Sequence, residues 1–252
     1  MVLRIPREDF LEEYWTYKPG ESAVWICPTG GGKSHFMYQA LDKALEQNPG
    51  LTAVSAMPKP ADATTHEWAR KLNLKITDTY PFPATWPWQE KPRGHVFWPR
   101  HIRDDEDTNQ AHLQAEFKKM LSGEYWRGNS ITCVDDAYLI ACLMKLGIYC
   151  DKFLTAGRSN KAGMFGTLQQ PRGTVQGGSV SSFWYNQPTH MFLGKDGNAD
   201  NRARFADISC GLDPRMISDI VANLRVYQVK DSSVSEMLYL DRRGPYLSIV
   251  GL

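Results

Sequence analysis

The sequence predicts an α/β fold, with a mostly parallel central sheet that is flanked by helices. Apolar, β-prone runs such as 22–28 and 51–57 alternate with segments of helical periodicity. The run at 22–28 is almost continuously apolar, which is typical of a strand buried on both faces of a parallel sheet. The length of 252 residues, with 42% hydrophobic and 23% charged residues, suits one sizeable domain.

The first part of the chain contains the clearest local pattern. Residues 1–21 are predicted to form an amphipathic helical lead-in, and residues 22–252 a single domain. A strand at 22–28 precedes a glycine-rich loop and a helix, and the run at 51–57 forms the next strand, which makes a βαβ unit. One stripe of that helix is apolar and is predicted to face the core: Phe36, Met37, Ala40, Leu41, Ala44 and Leu45.

The later elements are assigned from apolar runs and helix stop signals. Residues 76–100, rich in proline and aromatics, are predicted as an irregular connection that includes a short strand at 95–99. A terminal antiparallel β ribbon is predicted at about 224–252. Between them we expect a helix at 110–123, a strand at 131–134, a helix to about 158, strands at 163–171 and 189–196, and interrupted helices at 198–224.

The stretch "CPTGGGKS", residues 27–34, nearly matches the phosphate-binding pattern G-x-x-x-x-G-K-[ST] and lies between a strand and a helix. Glycines let backbone N–H groups point at phosphates, and the helix N-terminus favours an anion. Lys33 is expected to contact the β- and γ-phosphates, and the Ser34 hydroxyl to bind Mg²⁺. The predicted nucleotide-binding residues are Pro28, Thr29, Gly30, Gly31, Gly32, Lys33 and Ser34.

A second motif, "ITCVDD" at 131–136, ends a predicted buried strand with two carboxylates. Hydrolysis of a magnesium nucleotide requires one carboxylate near the metal and one that orients or deprotonates water. Asp135 is the expected metal-shell residue and Asp136 the expected base. Taken alone, the same letters also fit a solvated strand end.

These motifs, together with "AMPKPADATT" at 56–65 and "AGRSNKAGMFGTLQQP" at 156–171, resemble the FtsK/HerA group of P-loop ATPases. The likeness is strongest to DNA-translocase-like ATPases of phages and mobile elements, and it covers residues 18–195. It implies a RecA-like P-loop NTPase fold, ATP and Mg²⁺ as ligands, and Gln169 as the polar sensor residue. It also implies a ring, often a hexamer, in which an arginine acts on the neighbour's nucleotide. The candidates are Arg158, which the motif favours, and Arg172, Arg202 and Arg204.

The sequence departs from this family in three places. Cys27 replaces the first glycine, Asp136 replaces the usual glutamate, and Leu168 and Gln170 replace the residues around the sensor. The first change has a modest steric cost, and the second shortens the base by one methylene. We expect these departures to affect the rate of hydrolysis more than nucleotide binding.

The resemblance implies an ATP-dependent motor for double-stranded DNA, and viral genome packaging with a capsid or portal partner is the leading interpretation. The net charge of +1 predicts no global attraction to nucleic acid, so DNA contact requires a local patch. The five scattered cysteines and the lack of a membrane segment predict a cytoplasmic protein. The alternatives are a phage assembly ATPase and a nucleotide-binding structural module with weak hydrolysis, while a small-molecule kinase fits the motifs less well.

Overall fold

The architecture is taken from a computed structural model of the chain. The residues that it describes are 2–86, 88, 90–102, 105–169, 179–208, 212–229, 232–244 and 246–251.

The strands of this part of the chain are β1 (Leu3–Pro6), β2 (Ala23–Ile26), β3 (Thr52–Ala56), β4 (Leu74–Thr77), β5 (Gly94–Phe97), β6 (Ser130–Val134), β7 (Ala162–Leu168), β8 (His190–Gly194), β9 (Val226–Val229), β10 (Ser232–Ser235), β11 (Met237–Asp241) and β12 (Tyr246–Gly251). The α-helices are α1 (Arg7–Asp9), α2 (Lys33–Gln47), α3 (Ala63–Lys71), α4 (Glu106–Arg127), α5 (Gly147–Asn160), α6 (Phe183–Asn186), α7 (Ala199–Ala203) and α8 (Pro214–Ala222). Two π-helical segments lie at Phe10–Tyr14 and Leu139–Leu143, and a 3₁₀ segment lies at Arg204–Ile208.

One central sheet contains all of these strands except β9 and β10. Its order is β1-β12-β11-β8-β2-β7-β6-β3-β5-β4. Its pairs are parallel except where β11 runs antiparallel to β8 and to β12. The predicted α/β class with a mostly parallel sheet is confirmed. In this order β7 separates β2 from β6, so the glycine loop and the two aspartates follow strands on either side of β7.

The predicted C-terminal antiparallel ribbon is confirmed, but it is shorter than the predicted 224–252. The strands β9 and β10 form a separate antiparallel pair, whereas β11 and β12, which are also antiparallel to each other, extend the central sheet. The physical reason lies in burial, because Met237, Leu238, Tyr239 and Leu240 of β11 are all buried. A strand that is buried on both faces belongs inside a sheet that is covered on both sides, not in a peripheral ribbon.

The N-terminal segment also differs from the predicted helix. Residues 3–6 form β1, which pairs in parallel with β12 at the sheet edge, and the helical part covers only Arg7–Tyr14. Phe10 and Trp15 are buried, and the Trp15 indole donates to the carbonyl of Ala40 in α2 at 3.1 Å. The segment therefore packs against the central sheet and α2.

Both faces of the sheet are covered by other elements, and this explains why its central strands consist of nearly continuous apolar residues. In β2, Val24 and Ile26 point into the core layer that contains α4 and α5, while Trp25 points into the layer that contains α2. Alternate side chains of a strand point to opposite faces, so every position is apolar when both faces are covered. All six apolar residues predicted to form the stripe of α2 are buried, which confirms that prediction.

Several elements in the middle of the chain differ from the sequence prediction. Helix α3 and strand β4 are not predicted, and α4 extends beyond the predicted 110–123 at both ends. Gly123 lies within α4 and does not end it. A Cβ atom at that position would overlap the Tyr80 hydroxyl, so the glycine serves close packing of the 76–100 connection against the helix.

Candidate functional site

The glycine loop connects the end of β2 to the start of α2 at the carboxyl edge of the sheet. Gly30 and Gly32 have φ angles of 84° and 80°, in the left-handed region that favours glycine. The Gly31 N–H donates to the Pro28 carbonyl at 3.2 Å, and α2 begins at Lys33. The free N–H groups of the first helical turn face the loop, which gives the segment the character of an anion site.

Cys27, the residue that departs from the phosphate-loop pattern, is buried beneath the loop with 1% of its surface exposed. Its backbone N–H donates to the Leu168 carbonyl at 3.0 Å and so continues the pairing of β2 with β7. Its sulfur occupies space that is free because Gly31 and Gly194 lack side chains, since a Cβ on either residue would overlap it. Burial raises the pKa of the thiol to about 11. The cysteine is therefore a neutral packing residue under the loop.

This packing leads to a first prediction. Gly194→Ala is expected to lower the free energy of unfolding by about 1–3 kcal/mol, because the new methyl group overlaps the Cys27 side chain. In a Cys27→Gly background the same substitution should cost much less, since the overlapping atoms are gone. Urea denaturation of the two single variants and the double variant gives the coupling energy. Equal costs of Gly194→Ala in both backgrounds would contradict this account of Cys27.

Asp135 follows β6 and is almost fully buried, with 3% of its surface exposed. Its Oδ1 atom accepts hydrogen bonds from the Ser34 hydroxyl and from the Thr167 hydroxyl, each at 2.8 Å. The Lys59 Nζ atom lies 4.0 Å from its Oδ2 atom. The structure thus brings together Ser34 and Asp135, the two residues predicted for the metal shell.

Asp136 is held in an uncommon backbone conformation, with a φ of 67°. Its N–H donates to the Thr167 hydroxyl oxygen at 2.9 Å, and its Oδ2 accepts from the Gln169 amide at 3.3 Å. Burial raises the pKa of its carboxyl group, and the charge of Lys59 opposes that shift. The predicted base and the predicted sensor residue are therefore neighbours in the structure.

Thr167 is a site residue that the sequence analysis does not single out. It is fully buried in β7, and its hydroxyl links the Asp135 carboxylate to the Asp136 backbone. The available signal was a hydroxyl residue in the otherwise apolar run "MFGTL", two positions before Gln169. A buried hydroxyl requires a hydrogen-bond partner, and the partner here comes from the neighbouring strand.

The side chains around Asp135 fit a magnesium ion bound together with a nucleotide. Mg²⁺ prefers hard oxygen ligands and usually takes one or two from the protein, with phosphates and waters supplying the others. Ser34 and Asp135 offer a hydroxyl and a carboxylate in direct contact, and the ammonium of Lys59 lies beside the same carboxylate. Among the described residues, no group of three or more His, Cys, Asp and Glu side chains could hold a metal ion without a nucleotide.

Arg158 lies away from this cluster. It belongs to the last turn of α5, before β7 begins at Ala162, whereas Gln169 directly follows the end of β7. A seven-residue strand spans roughly 23 Å. Arg158 precedes β7 and Gln169 follows it, so the two residues lie near opposite ends of this strand. The Arg158 guanidinium donates to the Thr189 hydroxyl at 2.8 Å. Within one subunit, Arg158 is not placed to contact a nucleotide in the glycine loop.

The other predicted arginines have different positions. Arg202 lies in α7, after β8, and donates to the Asp196 carbonyl at 2.8 Å. Arg204 begins the 3₁₀ segment that follows α7. The Arg202 Nε and Arg204 Nη1 atoms are buried, and neither has a hydrogen-bond partner among the described residues. Arg172 lies outside the described residues.

Comparison with solved structures shows that the fold is shared by known nucleotide-binding proteins. The genome packaging NTPase B204 from Sulfolobus turreted icosahedral virus 2, in complex with AMPPCP, superposes with a TM-score of 0.60 at 14% identity. The match covers 93% of this chain and 98% of that chain. B204 from Sulfolobus turreted icosahedral virus, described as a DNA-packaging ATPase, gives a TM-score of 0.57 at 15% identity, over 93% of this chain and 98% of that one.

A third similar structure comes from a conjugation system. The coupling protein TcpA of pCW3, in a monomer form with ATPγS, gives a TM-score of 0.52 at 12% identity. The match covers 95% of this chain and 67% of that chain. The chain thus shares its fold with these packaging NTPases and with the coupling protein, in agreement with the predicted α/β class.

No protein-family model matches the sequence, and no curated protein matches it. In the part of the chain that the structure describes, no helix has both the length and the apolar composition to span a bilayer.

Proposed function

We propose that this protein is an ATPase that moves double-stranded DNA, and that its task is viral genome packaging. The observation that carries the proposal is the hydrogen-bonded chain Ser34–Asp135–Thr167–Asp136–Gln169 beside a glycine loop. The match to packaging NTPases over nearly the whole chain supports the choice of task.

The glycine loop and the hydrogen-bonded side chains have separate parts in the proposed hydrolysis. The loop N–H groups and Lys33 bind and orient the phosphates, and Ser34 and Asp135 are the residues that would hold Mg²⁺. The ion, when bound, neutralises charge that develops on the phosphate oxygens. Asp136 accepts a proton from the attacking water, and Gln169, which contacts the same carboxylate, orients that water.

The proposed active form is a ring, with a hexamer as the first candidate. Arg158 lies near the amino end of β7, whereas the glycine loop of the same subunit lies at the carboxyl ends of the strands. In the proposed ring, Arg158 therefore contacts the nucleotide that a neighbouring subunit binds. An arginine supplied in this way stabilises charge in phosphoryl transfer. In a host cytoplasm, the ring would deliver DNA to a viral capsid or portal.

The proposal is tested by ATP hydrolysis of the purified protein, with and without double-stranded DNA. We expect Mg²⁺-dependent turnover that DNA increases, and a loss of about 100-fold or more in Lys33→Ala, because the phosphates lose their main cationic contact. Lys43→Ala, which alters a lysine on the outer side of α2, serves as the control and should retain the wild-type rate. Nucleotide binding without turnover, with or without DNA, would instead favour a structural module with weak hydrolysis.

A further inference from the structure

The β9–β10 hairpin packs directly on the glycine loop. The Ser235 N–H donates to the Gly31 carbonyl at 3.3 Å, and a Cβ on Gly32 would lie 3.2 Å from the Val234 side chain. The Ser235 hydroxyl accepts from the N–H of Lys195, the residue after β8, at 2.9 Å. The hairpin therefore covers the side of the loop that faces β8.

The terminal phosphates of a bound nucleotide belong on the other side of the loop. Asp135, Asp136 and Gln169 follow β6 and β7, whereas β8 flanks β2 on its opposite side. A nucleotide carries its base at the far end from its terminal phosphate. If the terminal phosphate lies beside Asp135 and Asp136, the phosphate groups run along the loop away from these carboxylates. The base of the nucleotide then lies toward β8 and the hairpin.

One face of the hairpin suits a flat, apolar ligand. In the antiparallel register Val234 pairs with Tyr227, so these side chains share a face, and Val229 lies on the same face two residues from Tyr227. Because the Val234 side chain lies next to Gly32, this face of the hairpin points toward the glycine loop. Tyr227 is partly exposed, and Val229 is 42% exposed. Purine rings stack on aromatic and apolar side chains of this kind.

The hairpin is held firmly at its base. The Glu236 carboxylate, only 2% exposed, accepts from the Arg225 N–H at 2.8 Å and from the Tyr227 hydroxyl at 3.1 Å. The Arg4 Nε atom of β1 lies 3.4 Å from the same carboxylate. The Tyr227 ring is thus fixed before any ligand arrives, which reduces the entropy lost on binding.

We propose that the hairpin face formed by Tyr227, Val229 and Val234 is the wall that binds the base of the nucleotide held by the glycine loop. This inference rests on the proposed function and assigns its base-binding subsite. The wall offers stacking and apolar contact, so it recognises a nucleotide through its planar base, and the base contributes affinity that phosphates alone lack.

The test compares ATP with inorganic tripolyphosphate, which has the phosphates but no base, by calorimetry on the full chain with Mg²⁺. Tyr227→Ala is expected to weaken ATP binding about tenfold, as base stacking predicts, and to leave tripolyphosphate binding unchanged. Tyr227→Phe should keep most of the wild-type ATP affinity, because the stacking ring remains and only the hydroxyl bond to Glu236 is lost. Val229→Ala should weaken ATP binding by a smaller factor, about threefold, from lost apolar contact.

The matched control is Val226→Ala, on the opposite face of β9 and 45% exposed, which should change neither affinity. Unchanged ATP affinity in Tyr227→Ala and Val229→Ala would overturn the inference. Equal weakening of ATP and tripolyphosphate would also overturn it, since the hairpin would then only shape the loop. A wild-type protein that binds neither ligand would overturn the proposed function itself, and the base subsite with it.

Discussion

Replacing Asp136 with asparagine is expected to lower the rate of ATP hydrolysis by two to four orders of magnitude, about the contribution of a positioned general base. Asparagine has nearly the same shape but does not accept the proton of the attacking water. ATP should still bind, because the glycine loop and the Asp135 side chain are unchanged. Steady-state turnover with DNA, together with calorimetric ATP binding, separates the two effects.

Two further variants sharpen this test. Asp42→Asn makes the same chemical change on the outer surface of α2, where Asp42 pairs with Arg93, and should retain the wild-type rate. Asp136→Glu introduces the residue that the resembled family uses and should keep turnover within about tenfold of wild type, since a carboxylate base remains. A wild-type rate in Asp136→Asn would show that the base is a different group.

Replacing Thr167 with valine is expected to lower the turnover rate about 10- to 100-fold. The substitution keeps the shape of the side chain but removes one hydrogen bond to Asp135 and leaves the Asp136 N–H without its acceptor. An unsatisfied buried group costs about 1–3 kcal/mol, which corresponds to this range when the loss falls on the transition state. Turnover and thermal unfolding are measured side by side.

The controls distinguish positioning from general stability. Thr167→Ser keeps the hydroxyl and should restore most of the rate. Thr132→Val alters a fully buried threonine of β6 whose hydroxyl has no hydrogen-bond partner among the described residues, so its rate should match wild type. If Thr167→Val turns over at the wild-type rate, or Thr167→Ser is as slow as Thr167→Val, the hydroxyl does not position the aspartates.

The sequence could predict those parts of the site that depend on residues adjacent along the chain. The glycine loop at 27–34, the apolar stripe of α2 and the strand that precedes Asp135 each follow from local periodicity and a contiguous motif. Together they led to the α/β class, which the central sheet confirms. Strands that lack such a pattern, such as β1 with its exposed Leu3, gave no signal.

Contacts between distant segments were decided only by the tertiary structure. Ser34 and Asp135 are 101 residues apart, and sequence alone does not give the hydrogen bond that joins them. The space that accommodates Cys27 depends on Gly194, and the bridge between the aspartates depends on Thr167. Such contacts depend on which strands lie side by side, and strand order follows from how the whole core packs rather than from any short stretch.

The same division applies to function. By itself the sequence determined a strand, a glycine loop, a helix and a pair of aspartates at the end of another strand, because each is a local pattern. The tertiary structure decided that Arg158 lies at the remote edge of the sheet, that β11 lies within the sheet, and that the β9–β10 hairpin covers the loop. The physical reason is that burial and hydrogen bonding are satisfied across the entire fold, so they place distant residues that no local pattern connects.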